Sequence, residues 1–204
     1  MRHAQPGSAA IAAEISDVPF INAGDGGNEH PTQAIIDSYT IHKHLGRLKN
    51  LNVMLGFDAL QSRSIHSLTK LLAQYPNNTF TFVGPEQLLP TNELINELEE
   101  SGATCNCKTE VDIDDDCDVF YVNRLQQERF NDPALFEHNR RKFRLEKHHL
   151  VGKNTLILDP LPRIDEIATD VDSLDNAVYF KQASYGVPVR MALLSLLLNK
   201  TFNK

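Results

Sequence analysis

The chain has 204 residues, 41% of them hydrophobic and 23% charged, with ten glycines and ten prolines, a composition that fits a globular domain of ordinary size and excludes a disordered or fibrous chain. Its 27 acidic against 20 basic residues give a formal charge of −7, and with no long Lys/Arg block this argues against a nucleic-acid or polybasic membrane partner. The apolar run at residues 191–198 is broken by Ser195 and falls far short of the roughly 20 residues of a membrane span; with no signal-peptide stretch at the start, a soluble cytoplasmic protein is expected.

Three cysteines, Cys105, Cys107 and Cys117, form no C-x-x-C pairs, so neither a disulfide framework nor a zinc site is expected. The acidic run at residues 112–118 lacks the spacing and turn glycine of a hard-cation loop. No metal site is expected from these residues.

Short apolar runs alternate with helical patterns, which predicts βα units and a doubly wound, Rossmann-like parallel sheet. Residues 18–21 are a strand candidate ending in the Gly-rich Asn22-Ala23-Gly24-Asp25-Gly26-Gly27. His30-Pro31-Thr32 then opens a helix with proline in its first turn, stopped by Gly46. Residues 51–55 read as a buried strand, followed by a loop and a helix carrying Ile65, Leu68, Leu71 and Leu72. Residues 79–83 are a strand, 91–101 a helix, and 103–107 and 119–122 strands. The stretch 133–150, dense in Arg, Lys and His, reads as irregular. Residues 155–158 are the last strand, and a helix over about 188–199, apolar on most sides, closes the chain.

Ligands of such sheets bind beyond the carboxyl ends of the strands, which directs attention to the loops around residues 24–33, 56–67, 123–129 and 159–165. His30 sits at a helix start, where free N–H groups favour anions; it is either a catalytic imidazole or a helix-capping one. Arg63, Arg124, Arg129 and Arg163 offer forked donors for carboxylates or surface ion pairs. Asp159-Pro160-Leu161-Pro162-Arg163 is a stiff segment with outward carbonyls, either a rigid turn or acceptors for an amino or amide group.

Four motifs in one order, residues 22–33, Arg63-Ser64-Ile65-His66-Ser67-Leu68, residues 123–129 and residues 160–172, resemble the catalytic chains of the aspartate carbamoyltransferase family. The ornithine enzymes resemble it less, because Pro-Leu-Pro-Arg stands where they carry His-Cys-Leu-Pro. The resemblance implies that carbamoyl phosphate and L-aspartate are the substrates and that N-carbamoyl-L-aspartate and phosphate are the products, in pyrimidine biosynthesis. It implies that Arg2 and His30 polarise the carbamoyl oxygen and that Gln33 and the carbonyls of Pro160 and Leu161 hold the carbamoyl NH2. It further implies that Arg63, Arg124 and Gln126 grip the carboxylates of aspartate, that Glu128 and Arg129 brace their loop, and that no metal and no organic cofactor take part. A homo-oligomer, a trimer in the family, is implied too, or a partner supplying a missing domain.

The family pattern begins upstream of Met1, and its Ser-Thr-Arg-Thr-Arg phosphate loop has no counterpart here. The expectation is therefore a chain lacking most of the N-terminal carbamoyl-phosphate domain and inactive alone. It would comprise remnant elements of that domain and a crossing helix over 1–45, an aspartate-binding domain over 46–183, and a returning helix over 184–204. The alternative is a non-catalytic relative that binds an amino acid or a partner protein. Two departures stand out. The loop 56–63 is one residue longer than the pattern and lacks its Lys and Gly, and Asp159 replaces a histidine, which would repel anionic substrates unless paired.

Overall fold

The computed structural model describes residues 1–127 and 130–202, with side chains up to residue 198 in the last helix. Its elements are α1 (Ser8–Glu14), α2 (Pro31–Leu45), β1 (Asn52–Gly56), α3 (Arg63–Leu72), β2 (Thr79–Val83), α4 (Asn92–Glu100), β3 (Thr104–Lys108), β4 (Val119–Val122), α5 (Pro133–Lys142), β5 (Leu156–Leu158), α6 (Tyr179–Ser184) and α7 (Gly186–Phe202). The strands form one five-stranded sheet in the order β3-β2-β1-β4-β5, every pairing parallel. The doubly wound sheet expected from the apolar periodicity is therefore present.

Strand alternation divides the core in two. Val53, Leu55, Phe80, Phe82, Val119, Tyr121, Leu156 and Leu158 face one side, where they meet Ile41 of α2, Ile65, Leu68 and Leu72 of α3, and Leu94 and Leu98 of α4. Met54, Phe120, Val122 and Ile157 face the other, under Phe136 of α5 and Phe143, Leu145 and Ile167. Both faces of the sheet are covered at β1, β2, β4 and β5, which is why those strands read as nearly continuous apolar runs, whereas the edge strand β3 is largely exposed. Because β2 and β4 flank β1 on opposite sides, the loops that follow β1 and β4 diverge and leave a crevice at the carboxyl edge.

The expected strand at 18–21 is absent. Val18 is 67% exposed, and the chain after it pairs instead with the N-terminus: the Met1 ammonium donates to the Ile21 carbonyl at 2.6 Å, Ala23 N–H to Met1 O, and His3 N–H to Gly24 O. With no neighbour in the sheet, an isolated apolar run has nothing to satisfy its backbone. The irregular stretch expected at 133–150 contains α5, started by the Asp132 carboxylate, which accepts the Ala134 N–H at 2.8 Å, and by Pro133 at its first position. Helices α1 and α6 lie outside the elements expected from periodicity.

Helix α7 packs against α2 and α6 and leaves Val187, Met191, Leu194, Leu196 and Leu198 exposed, in keeping with its all-round apolar sequence. Among the described residues, no helix is long and apolar enough to cross a membrane.

Candidate functional site

The Gly-rich turn is organised by one carboxylate. Asp25, 2% exposed, accepts from the Gly7 N–H at 2.8 Å, Asn22 Nδ2 at 2.8 Å, Asn28 Nδ2 at 3.0 Å and the Glu29 N–H at 3.3 Å. Burial pushes its carboxyl up, but these donors outweigh burial and hold it down at about 2. Asp25→Ala leaves those donors without an acceptor, and a loss of about 2–4 kcal/mol is expected. Because the folded value lies below the usual 3.8, this stabilisation is fully present above roughly pH 4 and disappears as pH falls toward 2. Denaturant titrations at pH 7 and pH 3 check this: the variant's deficit should be smaller at the lower pH.

This turn ends at His30, which opens α2. The His30 N–H donates to Ser67 Oγ at 2.8 Å, and Thr32 Oγ1 lies 3.3 Å from His30 Nδ1. Burial, with Arg63, Arg190 and Arg2 nearby, drives the imidazole down to about 4, so at neutral pH the ring is uncharged. No side-chain capping bond is made, and the capping role is set aside.

Arg63 begins α3, where Ser62 caps the helix by accepting the Ile65 N–H at 3.3 Å. Asn123, at the end of β4, donates to Ser62 Oγ at 2.6 Å and Ser64 Oγ at 2.9 Å, which ties the loops after β1 and β4 together. The Arg63 guanidinium donates to Gly26 O at 3.1 Å and lies against Gly24, whose φ is +116° and where a Cβ would stand 2.9 Å from the guanidinium carbon. Glycine is required there for the backbone conformation, and a side chain would also push the guanidinium aside. Burial, then Arg2, pulls the Arg63 pKa down from its usual value.

Arg2, His30, Gln33, Arg63, Arg124, Gln126, Pro160 and Leu161 all line one cavity of ≈ 420 Å³. It sits at the carboxyl ends of β1, β4 and β5, at the switch point of the sheet. Three guanidiniums converge there in an acidic chain, so the cavity attracts anions. Gln126 Nε2 is braced by Asp58 Oδ2 at 3.3 Å. Gly26, Gly27, Gln61, Ser62, Ser64, Asn123 and Pro162 complete the lining; the sequence marks none of them for a ligand role, since nothing local distinguishes a lining serine from a capping one.

Two alternatives left open by the sequence are decided. Arg163 is not at the cavity: it pairs with the Asp172 carboxylate, 3.0 Å at Nη2, and with Tyr179 Oη at 3.2 Å, so it is the structural ion pair. Asp159 does not line the cavity. It is 2% exposed, its Oδ1 accepts the Leu161 N–H at 2.6 Å, and burial beside the Glu166 carboxylate holds its carboxyl well above the usual range. Glu128 and Arg129, expected to brace their loop, lie outside the described residues.

Fold and cleft together define a doubly wound α/β protein with an arginine-lined cleft at its switch point. The family described as "Aspartate/ornithine carbamoyltransferase, Asp/Orn binding domain" matches residues 49–197, and its "carbamoyl-P binding domain" matches residues 1–43. The chain belongs to the aspartate/ornithine carbamoyltransferase family. Both domains of the family are matched, so the expectation of a chain lacking most of the N-terminal one is not supported.

Among its relatives, the chain is 42% identical over 199 residues to the aspartate carbamoyltransferase catalytic subunit of Methanocaldococcus jannaschii, covering 97% of this chain and 65% of that protein. It is 45% identical over 205 residues to that of Vibrio campbellii, covering 98% and 66%. The chain thus spans just under two thirds of the length of these relatives. Among solved structures, the M. jannaschii aspartate transcarbamoylase catalytic subunit superposes with a TM-score of 0.93 at 41% identity, covering 100% of this chain and 67% of that one. The Trypanosoma cruzi aspartate transcarbamoylase in complex with carbamoyl phosphate and aspartate gives 0.84 at 31%, covering 95% and 63%.

Proposed function

We propose that the cavity is the substrate cleft of an aspartate carbamoyltransferase. The amino nitrogen of L-aspartate attacks the carbonyl carbon of carbamoyl phosphate, the bond from that carbon to the bridging oxygen breaks, and phosphate departs with the electron pair and takes up the amine proton. The observation that carries this reading is the convergence, in one cavity, of Arg2, Arg63, Arg124 and an uncharged His30 with Gln33 and the Pro160 and Leu161 segment.

Arg63 and Arg124 suit the two carboxylates of aspartate because forked guanidiniums pair with carboxylates bidentately, with Gln126 beside them. Arg2 and His30 suit the carbamoyl oxygen, where negative charge develops. If Thr32 donates to Nδ1, the imidazole proton rests on Nε2 and serves as that donor. Much of the acceleration comes from holding both reactants together. With this reading go the division into segments 1–45, 46–183 and 184–204 and assembly as a homo-oligomer.

The test is calorimetric binding of L-aspartate in the presence of carbamoyl phosphate, with carbamoyl-aspartate formation measured alongside. Arg63→Ala and Arg124→Ala each remove a charge-assisted contact of about 1.5–3 kcal/mol, so the affinity should fall roughly 10- to 150-fold. Aspartate affinities in both variants equal to the unmodified chain's would overturn the assignment.

A further inference from the structure

A glutamine amide has a donor end and an acceptor end of nearly the same shape, and a ligand meets whichever faces the cavity. At Gln33 the choice is made inside the protein. Its Nε2 donates to Asp37 Oδ1 at 2.8 Å. Asp37, buried completely, receives Gln182 Nε2 on the same oxygen at 2.6 Å and the Tyr121 hydroxyl on Oδ2 at 2.8 Å. Gln182 is itself fixed, because its Oε1 accepts the Asp159 N–H at 2.9 Å. An amide with a carboxylate at one end and a backbone N–H at the other has one orientation that satisfies both.

Hydrogen-bond polarity therefore runs unbroken from the β5 edge through Gln182 and Asp37 to Gln33 on α2, and leaves the Gln33 carbonyl oxygen for the cavity. At the start of the same relay, Asp159 Oδ1 holds the Leu161 N–H and with it a Leu161 backbone at φ +53°.

We propose that Asp37 and Gln182 are positioning residues whose buried relay turns the Gln33 carbonyl oxygen toward the cavity, so that the site selects a ligand head bearing an NH2 over one bearing an isosteric methyl. The inference rests on the carbamoyl-phosphate reading of the cavity. It extends that reading by naming groups that touch no substrate yet decide which head group fits. A buried acceptor facing a methyl group goes unpaired, which is the stronger form of discrimination.

The experiment uses the full chain labelled with 13C and 15N. Two quantities are read by NMR: the scalar coupling across the hydrogen bond between Gln33 Nε2 and the Asp37 carboxylate carbon, and the dissociation constants of carbamoyl phosphate and acetyl phosphate. The coupling should be present, and acetyl phosphate should bind about tenfold or more weakly, the loss that follows from one unsatisfied buried acceptor. Asp37→Leu should bring the ratio toward one. Asp37→Asn, whose carbonyl oxygen still accepts from Gln33 and Gln182 while its amide donates to Tyr121, should restore most of it; a purely structural role would not separate these two variants.

Absence of the coupling overturns the proposal, as does a wild-type ratio near one while the Gln33 signals move. Both are wild-type measurements and decide the matter even if Asp37→Leu does not fold. If neither ligand moves any cavity signal, the substrate reading fails and the selectivity with it, and the coupling alone decides the orientation of Gln33.

Discussion

His30→Ala is expected to lower the maximal rate of carbamoyl-aspartate formation by about 10²- to 10³-fold, the loss seen when one preorganised donor to a developing oxyanion is removed. The affinity for aspartate should change far less, because the donor acts on charge that grows in the transition state. The protonation state sharpens the expectation. With the imidazole pushed down to about 4 by burial and by Arg63, Arg190 and Arg2, the ring donates as a neutral group across the neutral range. An acid limb set by His30 in the free protein should therefore lie near pH 4 rather than near 6.5, and a histidine-selective NMR titration reads the same midpoint. The stability consequence has a definite sign: the unfolded chain takes up this proton first as pH falls below 6.5, so folding is weakened progressively between about 6.5 and 4. Equal loss of rate and affinity in His30→Ala, together with an altered circular dichroism spectrum, would instead mark His30 as a support for the fold.

The second large effect is on stability. Gly84 follows β2 and is buried, and a Cβ placed on it would stand 2.3 Å from the Phe57 carbonyl oxygen. That oxygen belongs to the backbone just after β1, at the root of the loop that carries Arg63. The Phe57 N–H is in turn bonded to Asn123 O at 2.9 Å. A flexible side chain would move aside, whereas this backbone is held from both strands. Gly84→Ala gains about 0.4–1 kcal/mol from the smaller entropy of the unfolded chain. The overlap costs more, typically 1–3 kcal/mol and beyond that where backbone must shift. The net expectation is a loss of about 2–3 kcal/mol, a fall in Tm of roughly 4–12 °C for a chain of this size, with weaker anion binding because the Arg63 loop is displaced. A thermal melt within a degree of the unmodified chain would refute the close packing.

Most of the sheet was legible because four of its five strands are buried on both faces. Runs such as Thr79–Val83 and Val119–Val122 combine β-branched and aromatic residues at strand length, and their bounds coincide with expectation. Helix α3 was legible for a related reason: Ile65, Leu68 and Leu72 recur at helical spacing and all are buried. Residues 18–21 form no strand, since four apolar-rich residues make one only when a neighbour is present to take their N–H and C=O groups. Helix α5 was hidden by its many charges, although Asp132 and Pro133 are a sound start signal. Its burial rests on Phe136 and Asn139, too few positions to produce a period.

The site residues were legible as motifs, and their roles came from resemblance. Their meeting in one cavity is a tertiary fact. Arg2, Arg63 and Leu161 are far apart in the chain, and it is the strand order, with β1 between β2 and β4, that opens a crevice where their loops converge. Charge states were likewise undecided by residue type. Asp25 and Asp37 are the same amino acid, yet a ring of donors holds one near 2 while full burial pushes the other up to about 6. Arg63 and Arg163 share a side chain, yet one lines the cavity and the other is neutralised by Asp172.

By itself, then, the order of residues determined the alternation of strands and helices, the class of sheet and the identity of the groups able to bind anions, because periodicity, capping and side-chain chemistry are local properties. Which of those groups face one another, which carboxylates keep their charge and which end of Gln33 is presented were decided only by the packed structure, because hydrogen-bond partners and dielectric surroundings come from residues distant in the chain.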